Sequence, residues 1–206
     1  MNIGRVFRTA ENIIGELKEL MKRGVYYFRF EDDCFTILPE LRILCQQMRE
    51  LGIRYKGHTR SDLLTHEKAE LLKMSGCEEL GLGVESADNM VLKINNKRET
   101  VDDHLKAVKI IKDAGMRAKT YFVMGLPGET DLTLELNKQF AIKSQMDKWT
   151  IATFTPYPGC SVYNNPNSYN IEIANHDFTK WWNFCEEGYN HVLNGQTQER
   201  MWARYK

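Results

Sequence analysis

Two patterns of apolar and polar positions alternate along this chain, and together they predict an α/β fold. Short apolar runs rich in β-branched and aromatic residues predict five buried strands. These strands span residues 25–31, 53–58, 79–85, 117–124 and 149–155. Between them, apolar residues at helical spacing predict helices over residues 9–23, 39–51, 65–75, 100–114 and 131–146. The alternation implies a parallel sheet with right-handed crossovers.

Helix boundaries are marked by capping residues and glycines. Thr9 can cap the first helix, and Pro39 suits the first turn of the second. In the helix after Thr100, the expected buried stripe consists of Val101, Leu105, Val108 and Ile111. Glycine follows four of the predicted helices, at positions 24, 52, 76 and 115.

Polar or glycine residues follow the predicted strands, which is where α/β proteins build their sites. The fourth strand runs directly into Gly125-Leu126-Pro127-Gly128-Glu129-Thr130. Backbone amides in such a turn can approach a flat ligand or an anion closely, because little side-chain bulk surrounds them. It is not a phosphate loop, since no Gly-Lys-Ser/Thr follows. Similar layouts occur at residues 28–33, 81–86 and 151–156.

The character of the sequence changes after Pro158 and Gly159. Residues 164–168 predict a loop, and residues 177–193 predict a helix that packs its aromatic residues on the sheet or on a partner. Those aromatic residues are Phe178, Trp181, Trp182, Phe184 and Tyr189. We therefore expect a first domain over residues 1–160 and a C-terminal extension over residues 161–206.

Composition narrows the class of protein. Of 206 residues, 42% are hydrophobic and 27% are charged, which is ordinary for a soluble globular protein. The 28 basic and 28 acidic residues balance, so no basic excess favours nucleic acid as a partner. No apolar run is long enough for a membrane span, and no signal peptide is evident. The five cysteines lie far apart and indicate reduced thiols, so we expect a cytoplasmic protein.

Several of these stretches, in this order, resemble the radical S-adenosylmethionine (radical SAM) superfamily, and in particular the subgroup that often carries a cobalamin-binding domain. The matching stretches are Phe30-Glu31-Asp32-Asp33-Cys34-Phe35-Thr36, Thr59-Arg60-Ser61-Asp62, Gly83-Val84-Glu85-Ser86, residues 121–130 and residues 155–159. The resemblance implies a partial (β/α)6 TIM-like barrel, of which the five strands here are similar to the second to sixth. The chain has Ala87 after the Val-Glu-Ser stretch, where members of the family commonly have glycine.

The same resemblance implies two cofactors. In the family, a C-x-x-x-C-x-x-C loop after the first strand holds a 4Fe–4S cluster, which reduces S-adenosylmethionine to give a 5′-deoxyadenosyl radical. That loop is missing from this sequence, and its five scattered cysteines do not replace it. The chain thus resembles a radical SAM domain without its first strand. We expect it to bind no stoichiometric cluster alone, and cobalamin to belong only to full-length members.

By resemblance, Glu85 and Ser86 face the ribose or methionine part of S-adenosylmethionine, and Asp32 and Asp33 help to receive its amino group. Each has a plainer interpretation. Glu85 can be an exposed capping carboxylate, and the aspartates can form a capping turn before Pro39.

The remaining candidates are also implied by the resemblance. Arg60 would bind the ligand carboxylate, or pair with Asp62 at the surface. Tyr157 would stack on the adenine, or act as a hydrophobic plug. Gly125, Pro127 and Gly128 would shape a turn against the adenine. Their plainer interpretation is a tight turn without a ligand.

Three functions remain open from the sequence. The first is an enzyme domain that forms most of an S-adenosylmethionine pocket, with another chain or segment supplying the first strand and cluster loop. The second is a non-catalytic fragment or interaction module that binds nucleotide weakly. The third, a generic doubly wound nucleotide binder, is disfavoured because no phosphate-binding glycine loop is present. An open sheet edge also predicts a partner or self-association.

Overall fold

A parallel sheet whose strands alternate with helices forms the framework. The computed structural model describes residues 6–173, 176–177 and the backbone of residues 192–193. Within these residues the strands are β1 (Tyr27–Arg29), β2 (Arg54–Thr59), β3 (Cys77–Glu85), β4 (Arg117–Met124), β5 (Lys148–Thr153), β6 (Ile171–Glu172) and β7 (Val192–Leu193). The α-helices are α1 (Ala10–Met21), α2 (Leu41–Leu51), α3 (His66–Met74), α4 (Asn89–Ile94), α5 (Val101–Asp113), α6 (Asp131–Ser144) and α7 (Ser161–Asn164).

Strands β1 to β5 form one sheet, and their order in the sheet is their order along the chain. β1 pairs with β2 in parallel, with Phe28 opposite Tyr55, and β2 pairs with β3 in parallel, with Gly57 opposite Leu80. A doubly wound sheet would reverse its strand order beside the first strand. The sequential order is that of a β/α barrel, which confirms the predicted α/β class with five parallel strands of a partial (β/α)6 barrel.

Local capping explains why the helices begin where they do. The hydroxyl oxygens of Thr9, Thr65 and Thr130 accept hydrogen bonds from backbone N–H groups in the first turns of α1, α3 and α6. These helices begin within one residue of the prediction. Pro39 precedes α2 instead of lying in its first turn. No helix in the described part of the chain has the length and apolar character needed to cross a bilayer.

Contacts divide the chain into two units, each with its own core. The first unit contains residues 1–83, 103–120 and 146–148, and the second contains residues 84–102, 121–145 and 149–206. In the first, Phe30, Phe35 and Tyr55 form an aromatic cluster with ring centroids 4.5 to 5.7 Å apart. In the second, Met124 packs with Val162 and Ile171. The predicted boundary after residue 160 stays a prediction.

The structure differs from the sequence-based prediction at several elements. β1 is shorter than residues 25–31, and α4 was not predicted. On α5, His104 and Ala107 are buried with Val108 and Ile111, whereas Val101 and Leu105 are only partly buried. The predicted helix over residues 177–193 is wrong at its end, where β7 pairs antiparallel with β6. Residues 178–191 of that prediction, including its five aromatic residues, lie outside the described part of the chain.

Candidate functional site

Glu85 ends β3 in an unusual backbone conformation. Its φ of 62° lies in the left-handed region, which costs energy for a residue with a side chain. The Glu85 carboxylate is 31% exposed and accepts a hydrogen bond from Lys97 Nζ at 3.4 Å. Burial raises the pKa of the Glu85 carboxyl, and the Lys97 ammonium partly offsets that rise. A strained residue with a partly desolvated carboxyl is typical of a functional site.

Lys97 lies between two carboxylates. Besides Glu85, its ammonium is 3.1 Å from an oxygen of Glu99, whose side chain is fully buried. A single cation therefore compensates charge on both glutamates, and it is itself only 19% exposed. The charge-assisted hydrogen bond from Lys97 therefore holds the Glu85 carboxylate in one orientation at the end of β3.

The loop after Glu85 is anchored to two helices of the second unit. The buried Ser86 hydroxyl accepts from the Asp88 N–H at 3.2 Å, and the Ala87 N–H donates to Asn137 Oδ1 at 2.6 Å. Asp88 caps α4 at Met90 N. Its other carboxylate oxygen accepts from the Thr133 hydroxyl at 2.9 Å, at the start of α6. These hydrogen bonds hold the loop against α4 and α6.

The turn after β4 is held in the same way. The Gly125 N–H donates to Glu129 Oε2 at 2.9 Å, so the side chain of the turn satisfies that amide. Asn95 Nδ2 donates to the Pro127 carbonyl at 2.9 Å. Gly128 has a φ of 88°, and a Cβ there would lie 2.6 Å from Ile94 Cδ1. The backbone angle favours glycine at position 128, and a side chain there would also require Ile94 to move.

A short segment after α4 thus reaches both strand-end loops. Asn95 contacts the turn after β4, and Lys97 contacts the end of β3. The segment contacts two of the predicted residues, Glu85 and Pro127. Five predicted residues belong to the second unit: Glu85, Ser86, Gly125, Pro127 and Gly128. Tyr157, which follows β5 in the same unit, is 53% exposed, and its ring-stacking role stays a prediction.

Three predicted residues belong to the first unit. Asp32 and Asp33 are exposed after β1. Arg60 forms a bidentate pair with Asp62, with distances of 3.0 and 2.9 Å, so the surface pair weighed from the sequence is present. The Thr36 and Thr59 hydroxyls lie 2.5 Å apart and connect the segments that follow β1 and β2. The ligand contacts predicted for these three residues stay predictions.

Comparison with known proteins identifies the family. The sequence profile of the Radical SAM superfamily matches residues 1–141. The chain belongs to the radical SAM superfamily. It is 31% identical over 180 residues to the anaerobic magnesium-protoporphyrin IX monomethyl ester cyclase of Rubrivivax gelatinosus, across 84% of this chain and 32% of the relative. It is also 29% identical over 170 residues to an uncharacterized methyltransferase of Pyrococcus horikoshii, across 81% of this chain and 37% of the relative.

A solved radical SAM structure shares the fold. The methyltransferase TsrM from Kitasatospora setae, determined with tryptophan substrate and a SAM analogue bound, superposes with a TM-score of 0.69 at 15% identity. The match covers 82% of this chain and 36% of TsrM. The chain therefore spans about a third of the length of the relatives and the structure that it matches.

Two of the described cysteines, Cys45 and Cys77, do not suit an iron–sulfur cluster. Cys45 and Cys77 are buried, and burial raises the pKa of both thiols, that of Cys77 to about 12. A thiol with a raised pKa is a poor metal ligand, because the thiolate is the coordinating form. Cys34 is near the hydroxyls of Thr36 and Thr59. Among the residues that the structure describes, no three His, Cys, Asp or Glu side chains are placed to hold a metal.

Sequence reasoning missed Asn95, Lys97 and Glu99. They follow a helix of only six residues, α4, which is too short to give a clear hydrophobic period. A usable sequence feature was Asp88, three residues before the apolar pair Val91 and Leu92, since aspartate is a preferred helix N-cap.

Proposed function

We propose that this radical SAM chain forms most of an S-adenosylmethionine pocket for 5′-deoxyadenosyl radical chemistry. Membership of the superfamily supports the ligand class. The observation that carries the proposal is the Asn95–Lys97 segment, which fixes the end of β3 and the turn after β4 together. Binding sites need polar groups that are positioned before the ligand arrives, and this segment positions them.

Each predicted residue has a role that its chemistry suits. The Glu85 carboxylate accepts hydrogen bonds from ribose hydroxyls and attracts the sulfonium. The turn that contains Gly125, Pro127 and Gly128 lies against the adenine, which Tyr157 covers. In the same proposal, Ser86 contacts the ribose. Asp32 and Asp33 contact the amino group of the ligand, and Arg60 contacts its carboxylate.

We further propose that another segment or chain supplies the first strand and the cluster ligands. A largely apolar groove of about 590 Å³ beside β1 supports this. Its lining has eight apolar residues, among them Ile13, Leu17, Leu20 and Phe28, and five charged ones. β1 is an edge strand. The Phe30 N–H donates to Lys56 O, and Tyr26 O accepts from Arg54 N–H. Since alternate residues pair in a parallel sheet, the backbone groups of Tyr27 and Arg29 point to the open edge.

The same groove gives a second candidate function. A non-catalytic interaction module would also present an unpaired edge strand beside an apolar groove. Such a module would bind a partner chain at β1 without needing the Glu85 carboxylate. The two functions therefore differ in whether the loops of the second unit bind the nucleoside.

Titration calorimetry with S-adenosylmethionine tests the proposal. We expect weak binding by the wild-type chain and about tenfold weaker binding by Glu85→Gln, because a charge-assisted hydrogen bond is lost. Glu70→Gln, an exposed change on α3, is the matched control and should bind like wild type. Absence of heat at millimolar ligand, or equal loss in both variants, would favour the interaction module. Anaerobic iron–sulfide reconstitution of the chain alone should give no stoichiometric cluster.

A further inference from the structure

The Glu85 carboxylate is only partly engaged by the protein. Lys97 Nζ donates to Glu85 Oε1 at 3.4 Å, and no other group in the described part of the chain donates to this carboxylate. Glu85 Oε2 is therefore open to a donor from a ligand. Any charge on that ligand interacts with the Glu85 carboxylate and with the Lys97 ammonium together.

Lys97 is held beside Glu85 by a second carboxylate. Its ammonium lies 3.1 Å from an oxygen of Glu99, whose side chain is fully buried, whereas the side chain of Glu85 is 31% exposed. Two residues before Lys97, Asn95 donates to the Pro127 carbonyl and anchors the same segment. Moving Lys97 away from an arriving cation would break its contact with a buried carboxylate, which is costly.

An ammonium fixed beside a carboxylate changes what that carboxylate can recognise. The Glu85 carboxylate alone attracts a positively charged group, while the Lys97 ammonium repels it. Solvent screens this repulsion only in part, because Lys97 is 19% exposed. The acceptor Oε2 still takes hydrogen bonds from neutral hydroxyls. Hydrogen bonding is thus retained, while the attraction for a cation is reduced.

The titration of Glu85 agrees with this description. Burial raises the pKa of the Glu85 carboxyl, the Lys97 ammonium lowers it, and the nearby Glu99 carboxylate raises it. The net shift is upward from 4.5. Lys97 is therefore the cation that favours the ionised form of Glu85, and any test of its charge needs a pH at which Glu85 stays ionised without it.

Two related nucleosides differ in the property that this pair of charges controls. S-adenosylmethionine carries a sulfonium cation, and S-adenosylhomocysteine has a neutral thioether in its place. Both have the same ribose hydroxyls and the same adenine. A pocket that binds the hydroxyls but responds weakly to the sulfonium charge binds both molecules.

We propose that Lys97 sets the charge selectivity of the pocket, because it opposes the attraction between Glu85 and a sulfonium. Lys97 acts through Glu85 and is a positioning residue. The inference rests on the proposed function, since it concerns the same pocket. Its consequence is that a neutral nucleoside with the same ribose competes with S-adenosylmethionine for this chain.

Titration calorimetry of the full chain with each of the two nucleosides tests the inference. About pH 8 is suitable, well above the usual range of carboxyl pKa values. The measured quantity is the ratio of the two dissociation constants in each variant. We expect similar constants in the wild type, and a preference for S-adenosylmethionine that rises about tenfold in Lys97→Met. Lys97→Arg should keep the wild-type ratio, since it keeps the charge.

Further variants separate the effect of charge from that of structure. Lys93→Met is the matched control, because it removes an exposed lysine of α4 four residues before Lys97, and it should leave the ratio unchanged. Glu85→Gln should shift the ratio in the opposite direction, because the carboxylate is lost while the ammonium remains. The double variant should lie between the two single variants. Partial unfolding weakens the binding of both ligands equally, so the ratio does not depend on stability.

The possible results distinguish this inference from the proposed function. If the wild type binds both ligands and the ratio is unchanged in Lys97→Met, the inference is overturned and the proposed function stands. An equal rise in Lys93→Met would also overturn it, since total charge would then be the cause. A wild type that binds neither ligand would overturn both the inference and the proposed function.

Discussion

At the scale of single residues, the Lys97 ammonium determines the electrostatic surroundings of Glu85 in the candidate pocket. It contacts both Glu85 and the fully buried Glu99, and its own side chain is only 19% exposed. Its charge favours the ionised form of Glu85, which burial disfavours. The proposed ribose contact requires this ionised carboxylate, so Lys97 acts on the ligand through Glu85.

Lys97→Met keeps most of the side-chain volume but removes the charge. We expect it to lower the free energy of unfolding by about 2 kcal/mol at neutral pH, because two carboxylates lose their cation. Lys106→Met on the exposed side of α5 is the control and should cost little. Urea unfolding of both variants measures the difference.

The loss in Lys97→Met should depend on pH in a defined direction. The pKa of Glu85 is raised above its usual 4.5 in the folded chain, so its ionisation opposes folding. That cost is absent below pH 4.5 and grows as the pH rises through the folded pKa. Without Lys97 the folded pKa rises further, so the variant should recover part of its stability in acid. A loss that is equal at all pH values would show that the charge of Lys97 is not responsible.

At the scale of elements, the features predicted from the sequence are those that local chemistry determines. Threonine caps predicted the starts of α1 and α3, and closing glycines predicted the ends of α1, α2, α3 and α5. The elements that were missed depend on distant contacts. On α5, His104 takes a fully buried position because its ring nitrogen pairs with the Ser61 hydroxyl at 2.7 Å, and no helical period reveals that partner.

Two glycines that follow helices can show how much tertiary packing adds to the cost of local backbone strain. Gly52 and Gly76 both have positive φ, but only at Gly76 would a Cβ meet backbone, 2.0 Å from the Ile53 carbonyl oxygen. Gly52→Ala should cost about 1 kcal/mol of unfolding free energy from backbone strain alone. Gly76→Ala should cost about 3 kcal/mol, because the start of β2 must also move. Thermal or urea unfolding of the two variants measures both losses of stability. Equal losses would contradict the prediction.

At the scale of the whole molecule, the sequence predicted the strand order and the positions of the polar strand ends. The contacts of each candidate residue could not be predicted, because they depend on side chains from other elements. Arg60 is engaged by Asp62, the Gly125 amide by Glu129, and Glu85 by a lysine twelve residues further along the chain. The family was identified from the order of the motifs, but these contacts required the structure.

The open edge of the sheet leads to the last prediction. The backbone groups of Tyr27 point away from β2, so Tyr27→Pro removes no hydrogen bond within the sheet but prevents another strand from pairing with β1. We expect the wild-type chain to associate as its concentration rises, because an unpaired edge beside an apolar groove recruits further strands. Sedimentation velocity should show a mass that rises with concentration for the wild type and stays at one chain for Tyr27→Pro.

Phe28→Pro is the control for this experiment. The backbone N–H of residue 28 faces β2, so proline there removes a hydrogen bond of the sheet and should destabilise the first unit, which circular dichroism and urea unfolding would detect. If Tyr27→Pro unfolds the chain as readily as Phe28→Pro, the assigned direction of the backbone groups is wrong. If the wild type remains a single monomeric species at all concentrations, the edge does not recruit a second copy. Binding of a different complementing segment would then be the remaining use of the groove, and a synthetic strand peptide that fails to bind it would exclude that use too.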